Sequence, residues 1–189
     1  MHITPLDSNY RIFQITDILP DTLVNNILEL NWLDFPWVRA AGQEKRERRR
    51  IENSSSPVLE SVATFITDNL IKIEDALGVK FTNTYPYTSW WYDEPGYDIG
   101  IHTDGHLPAT MQLFWIAPGK QFATQFYRSK IRDDIITQIE FVTNTGYIML
   151  NMPNENGSQP LHWHGMLNTV PANTFRLTSY TTLGTYTHK

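Results

Sequence analysis

The sequence predicts a mainly β fold with helices, a two-sheet sandwich or jelly roll in which N-terminal helices pack on one sheet. Three observations carry that prediction. From residue 79 to 183 the chain divides into eight or so short runs rich in Val, Ile, Thr and aromatic residues, separated by Gly, Pro and Asn at turn positions. Before residue 79, apolar residues recur at three- and four-residue steps in two stretches, which is the spacing of a helix with one apolar stripe. Such a stripe needs a sheet or another helix to cover it. A chain of 189 residues, 41% of them hydrophobic, suffices for one domain with a substantial core. Its expected division is a helical part at 1–78 that supports the sheet and a β core at 79–183.

Taken in order, residues 11–16 alternate and read as an opening strand. Pro20 turns the chain into a first amphipathic helix carrying Leu23, Val24, Ile27 and Leu28 and ending near Asn31. Residues 32–37, aromatic and interrupted by Pro36, read as a packed loop. Ser56 is placed to cap a second helix with Pro57 at its first position. Apolar residues from Val58 to Leu77 extend that helix as one long element, and Gly78 sits where a left-handed residue ends it. Strands follow at 79–84, 85–93, 97–103, 110–116, 124–128, 135–142 and 147–151. A further strand follows 160–167, and 174–183 closes the sheet.

With no cysteine, disulfides and thiolate metal sites are excluded, and His, Asp and Glu remain as strong ligands. The net charge of −5 gives no general attraction to nucleic acid or anionic membrane. No stretch approaches the ~20 apolar residues of a spanning helix. A soluble, cytoplasmic protein is expected. The run at 43–52 concentrates charge, with Lys45, Arg46, Arg48, Arg49 and Arg50 among three glutamates. Charge runs are usually solvated surface, and the sharper reading is a contact for an acidic substrate or partner.

The chemistry concentrates in YDIGIHTDG at 97–105. In an extended strand His102 and Asp104 project from one face and Thr103 from the other. One more histidine would complete the two-His, one-carboxylate set that holds non-haem Fe(II) with positions left open. His164 and His162 are the candidates, and they share a strand face. Downstream, TFRLTSYTTL places Arg176, Thr178, Tyr180 and Thr182 on one face. A buried guanidinium needs a carboxylate. An Asp or Glu of the chain itself would supply it in a purely structural role, whereas an arginine beside a hydroxyl can also clamp one end of a small dicarboxylate.

The segments YDEPGYDIGIHTDG, MQLFWIAP, ATQFY, HWHGM and FRLTSY, in that order, resemble the core of the Fe(II) and 2-oxoglutarate dependent dioxygenases, closest to the prolyl hydroxylase-like branch. The resemblance covers roughly the C-terminal half and implies a double-stranded β-helix, the cupin-like jelly roll. It implies that His102, Asp104 and a later histidine bind Fe(II). His164, followed by Gly165 and Met166, matches the family better than His162. It implies that Arg176 with Thr178 holds the far carboxylate of 2-oxoglutarate, and that O2 is consumed with release of succinate and CO2 as a C–H bond is hydroxylated. Trp115 stands where relatives often carry a tyrosine that touches the co-substrate, so its indole N–H is a donor there or the ring simply packs. The primary substrate is expected to be a peptide residue or small molecule, with nucleic acid not favoured.

Residues 120–123, Lys-Gln-Phe-Ala, replace the paired glycines of many members. His106 and the terminal His2 and His188 are expected to be idle. Trp90, Trp91, Tyr92 and Tyr97 read as core or as substrate contacts. The competing class is a cupin-like metal enzyme or ligand-binding jelly roll that does not use 2-oxoglutarate. His162-Trp163-His164 resembles a cupin pair, but the glutamate expected a few residues on is absent.

Overall fold

A computed structural model describes residues 1–7, 9, 11–39, 48–82, 86–104, 107–151 and 162–189. In order the described elements are β1 (His2–Asp7), β2 (Ile12–Thr16), α1 (Asp21–Leu28), β3 (Arg48–Glu52), α2 (Pro57–Asp68), α3 (Leu70–Leu77), β4 (Val79–Thr82), β5 (Tyr87–Asp93), β6 (Ala109–Ile116), β7 (Gln125–Tyr127), β8 (Ile135–Gln138), β9 (Thr145–Leu150), β10 (Trp163–Gly165), β11 (Arg176–Thr182) and β12 (Thr185–His188). The chain is mainly β, and every paired strand is antiparallel. A large sheet runs β1-β2-β9-β6-β11-β5-β3, a small one runs β10-β7-β8, and β12 pairs with β4. Sequence expectations at Lys45, Arg46, residues 83–85, His106 and Pro160 lie outside the described residues.

One face of the large sheet carries the helices. Val24 and Ile27 of α1, Leu59, Val62 and Ile66 of α2 and Ile73 of α3 share a core with Met111, Leu113, Trp115, Ile148 and Leu177. The opposite face packs on the small sheet through Ile12, Phe114, Phe126, Ile139, Phe141 and Met149. The site lies on this second face, so the helices support it from behind. Among the described residues no helix is long and apolar enough to cross a membrane.

The expected helix start is present, with Ser56 Oγ accepting from the Val58 N–H at 3.2 Å and Pro57 at the first helical position. Gly78 ends α3 at φ 67°, the left-handed conformation that glycine adopts without a Cβ penalty. The single long helix is not observed, because α2 ends at Asp68 and α3 begins at Leu70. Thr67 Oγ1 donates to Ala63 O and Asn69 Nδ2 to Phe65 O, each at 2.9 Å. Short polar side chains that bond to the preceding turn bend and interrupt helices. Strand β3, inside the run expected to be solvated, joins the large sheet, so the first 78 residues supply three of its strands as well as the helices.

Strands β6 and β9 lie together at the middle of the large sheet, and Gly146 lets them approach. A Cβ there would fall 1.9 Å from the Gln112 carbonyl oxygen. Backbone cannot yield as a flexible side chain would, so Gly146→Ala is expected to cost on the order of 3 kcal/mol. Urea unfolding measures this, and a cost under about 0.5 kcal/mol, the range of ordinary surface substitutions, would contradict the register given for these strands.

Candidate metal centre

His102 lies in no regular strand. Its segment turns through Gly100 at φ 56° and meets β10 in one isolated antiparallel bridge between His102 and His164. The His102 N–H donates to the His164 carbonyl at 2.9 Å and the His164 N–H to the His102 carbonyl at 2.8 Å. The expected strand at 97–103 is therefore corrected to an irregular segment that turns at Gly100 and makes a single bridge at His102. Close approach depends on Gly165, where a Cβ would stand 2.2 Å from the Gly100 carbonyl oxygen.

The bridge brings two imidazoles to one carboxylate. His102 Nδ1 lies 3.2 Å from the Gly100 carbonyl and His164 Nδ1 2.8 Å from the His162 carbonyl. A carbonyl only accepts, so Nδ1 carries a proton on both rings, and in the neutral tautomer the lone pair is left on Nε2. Each Nε2 is 3.6 Å from an Asp104 oxygen, Oδ1 for His102 and Oδ2 for His164. Tyr180 donates its hydroxyl to Asp104 Oδ2 at 2.7 Å. The ligand atoms of His102, Asp104 and His164 all lie within 4.8 Å of one another and could hold a metal ion. Two imidazoles and a carboxylate, with second-sphere bonds already orienting the rings, are a donor set that fits a divalent transition metal. Burial, helped by the nearby His164 ring and opposed by Asp104, pushes His102 down to about 4. Its imidazole is thus neutral near pH 7, as a ligand must be.

These side chains open into a cavity of about 380 Å³. Across its floor, register places Arg48 of β3 and Arg176 of β11 on either side of Asp93 of β5. Arg176 donates through Nη1 to Asp93 Oδ2 at 2.6 Å and through Nε to the Phe122 carbonyl at 2.8 Å. Arg48 donates through Nε to Oδ1 at 2.5 Å and through Nη2 to Oδ2 at 3.1 Å. Its guanidinium also lies over the rings of Tyr97 and Trp91, 4.3 and 4.9 Å from their centroids. Burial works against the Arg48 charge, but Asp93 outweighs it and the pKa is raised.

No protein-family model matches the sequence, and no curated protein matches it. Solved structures do match. A prolyl-4-hydroxylase from Pseudomonas putida aligns over 94% of each chain with a TM-score of 0.62 at 13% identity. An oxidoreductase of the 2OG-Fe(II) oxygenase family from Burkholderia pseudomallei aligns over 94% of this chain and 91% of its own, TM-score 0.59, at 11% identity. HygX from Streptomyces hygroscopicus, with nickel and 2-oxoglutarate bound, aligns over 93% of this chain and 84% of its own, TM-score 0.61, at 9% identity. The chain has the fold of these oxygenases.

On that oxygenase fold the structure brings together His102, Asp104 and His164, and it lines the same cavity with Arg176. His162 is buried with its carbonyl turned to the His164 ring, and it is outside the converging group. Thr178 shares the Arg176 face and accepts a hydrogen bond from Gln112 Nε2 at 3.3 Å. Trp115 requires correction. It points to the helix-covered face, stacks on Trp90 and donates its indole N–H to Ser179 Oγ at 3.0 Å, away from the cavity. Of the two sources open for the carboxylate that Arg176 needs, the chain itself supplies one, Asp93. Arg48, expected in solvent, is 7% exposed.

Sequence reasoning missed Gln112 and Tyr147 as cavity groups and Asp93 as the buried carboxylate behind them, and it named Arg48 only within a charged run whose sharper reading was a contact for an acidic substrate or partner. The Tyr147 hydroxyl donates to Gln112 Oε1 at 2.7 Å. Tyr180 carried a signal, since it alternates onto the face of Arg176.

The third ligand is testable by substitution. His164→Ala is expected to abolish stoichiometric Mn(II) or Co(II) binding, whereas His162→Ala retains it; calorimetric titration reads both, and metal retained without His164 contradicts the assignment. A second expectation concerns acid stability. An unfolded histidine titrates near 6.5 and folded His102 near 4, so between those values the unfolded chain binds more protons. The metal-free protein should therefore lose stability as pH falls from about 6.5 to 4. The His102 contribution is fully present above that window and amounts to no more than about 3 kcal/mol, less whatever solvent screens at a ring 29% exposed. Denaturant unfolding of His102→Gln against the parent across this range should show a shallower slope, and an unchanged slope contradicts the titration.

Proposed function

We propose that the protein is a non-haem Fe(II)- and 2-oxoglutarate-dependent oxygenase that hydroxylates a C–H bond of a peptide residue or small molecule with release of succinate and CO2. The observation that carries this reading is the convergence of His102, Asp104 and His164 beside a buried arginine within one cavity of an oxygenase-like fold. On this reading the two sheets form a double-stranded β-helix, the whole chain is one domain, and the protein works in the cytoplasm.

Bound iron and 2-oxoglutarate supply O2 activation through oxidative decarboxylation of the keto acid. The chain does the holding. His102 and His164 present Nε2 because backbone carbonyls fix Nδ1–H, and Tyr180 fixes Asp104. Arg176, with the Thr178 hydroxyl beside it, receives the far carboxylate of the co-substrate. Ile99, Leu107 and Met166 line the cavity and limit water near the ligands. Trp115 has no part in co-substrate binding on this account.

One observation favours a second reading. Asp93 already pairs Arg176, as a cupin-like metal enzyme or ligand-binding jelly roll without 2-oxoglutarate would have it. The two readings part in one assay. Purified protein with Fe(II), ascorbate and 2-oxoglutarate is expected to form succinate with O2 uptake, and omission of either Fe(II) or 2-oxoglutarate abolishes it. Metal-replete protein that forms no succinate beyond the protein-free rate would overturn the oxygenase reading.

A further inference from the structure

The cavity lining includes Arg48, Arg50, Arg176 and Asp104. Without a metal the charges sum to zero, because Asp104 offsets the arginine row, but that row does not balance by itself. Arg50 pairs with Glu52 at 3.0 Å, which cancels that charge. Arg48 and Arg176 share Asp93, so two guanidiniums face one carboxylate and one positive charge remains. This occurs where burial makes an uncompensated charge costly, since Arg176 is 2% exposed and Asp93 fully buried. A divalent ion on Asp104 and two neutral histidines would leave a second positive charge. The loaded cavity therefore carries an excess of two, the charge of a dicarboxylate.

Donor geometry points the same way. A guanidinium has five N–H donors. Asp93 accepts from Nε and Nη2 of Arg48, and Asp93 and Phe122 accept from Nη1 and Nε of Arg176. Each arginine thus has more donors than these partners take. The Arg48 guanidinium carbon lies over the rings of Tyr97 and Trp91, contacts that favour the cation without using its donors.

We propose that Arg48 is a second co-substrate-binding residue, which by sharing Asp93 with Arg176 leaves the pair one positive charge for the far carboxylate of a keto diacid. The inference rests on the oxygenase reading and deepens it. Arg176 alone is neutralised by Asp93, and Arg48 restores the charge that the clamp requires. The alternative role for Arg48 is structural, the pinning of β3 to β5.

Binding, read without turnover, separates these. Protein loaded with Mn(II) is titrated calorimetrically with 2-oxoglutarate and with 2-oxopentanoate, which keeps the keto acid and chain length but lacks the far carboxylate. The parent protein is expected to prefer 2-oxoglutarate. Arg48→Gln should weaken 2-oxoglutarate roughly 10- to 100-fold, the worth of hydrogen bonds to a charged group, while binding of Mn(II) and 2-oxopentanoate stays unchanged. The double variant Arg48→Gln/Asp93→Asn leaves Arg176 with its charge and should recover part of the lost affinity. If Arg48→Gln does not fold, Arg48→Lys and the double variant carry the test through the same ratio of the two keto acids. Equal affinities for 2-oxoglutarate in parent and Arg48→Gln, or equal losses for both keto acids in any folded variant, overturn the role of Arg48 alone. A Mn(II)-loaded parent that binds neither keto acid overturns the oxygenase reading and this inference with it.

Discussion

Two backbone hydrogen bonds between His102 and His164 are the constraint on which the candidate centre depends. They join segments distant in sequence at one isolated bridge, and no ladder extends it on either side. With so little regular structure, the ligands are held by what surrounds them. Gly165 allows the close approach, the Gly100 and His162 carbonyls set the tautomers, and Tyr180 reaches from the large sheet to Asp104. The large sheet is rigid because both faces are covered, by helices behind and the small sheet in front. A loosely paired segment lies against a stiff floor, and the fold thereby leaves room for a ligand while keeping donor atoms aligned.

The floor itself carries the row of Arg48, Asp93 and Arg176. Buried ions rarely repay their desolvation by mutual attraction alone, and apolar replacements of similar volume are often as stable. A net positive row is costlier than a neutral pair. That cost fits a site for an anion, where the missing charge arrives with the ligand and binding recovers what folding gave up. It also explains why Tyr97 and Trp91 lie against Arg48: aromatic faces favour a cation without neutralising it.

Much of this was legible in the chain. Spacing named His102 and Asp104 together, although the strand assumed for them is not formed, and the resemblance favoured His164 over His162; the structure brings these three side chains near one another. The alternation of TFRLTSYTT put Arg176, Thr178 and Tyr180 on one face, as β11 has them. The Ser56 cap and Gly78 were readable because each uses a local backbone rule. What was not legible depended on partners in space. Arg48 sits in a charged run and reads as solvent-exposed until β3 is paired with β5 opposite Asp93. Trp115 lies in β6, buried on both faces, where alternation carries no sign of which face holds the cavity. Strands β1 and β12 were missed because they are largely exposed and lack a clean apolar alternation. The break at Asn69 was hidden by an apolar stripe that continues across it, since Ile66 and Ile73 both stay buried.

The most direct measurement is a crystal structure of the protein soaked with Mn(II) and 2-oxoglutarate. The account predicts one metal ion bonded to His102 Nε2, Asp104 and His164 Nε2, with the far carboxylate of the ligand against the guanidiniums of Arg48 and Arg176. A metal bound elsewhere, or two arginines closed on Asp93 with the diacid absent from the cavity, would contradict it.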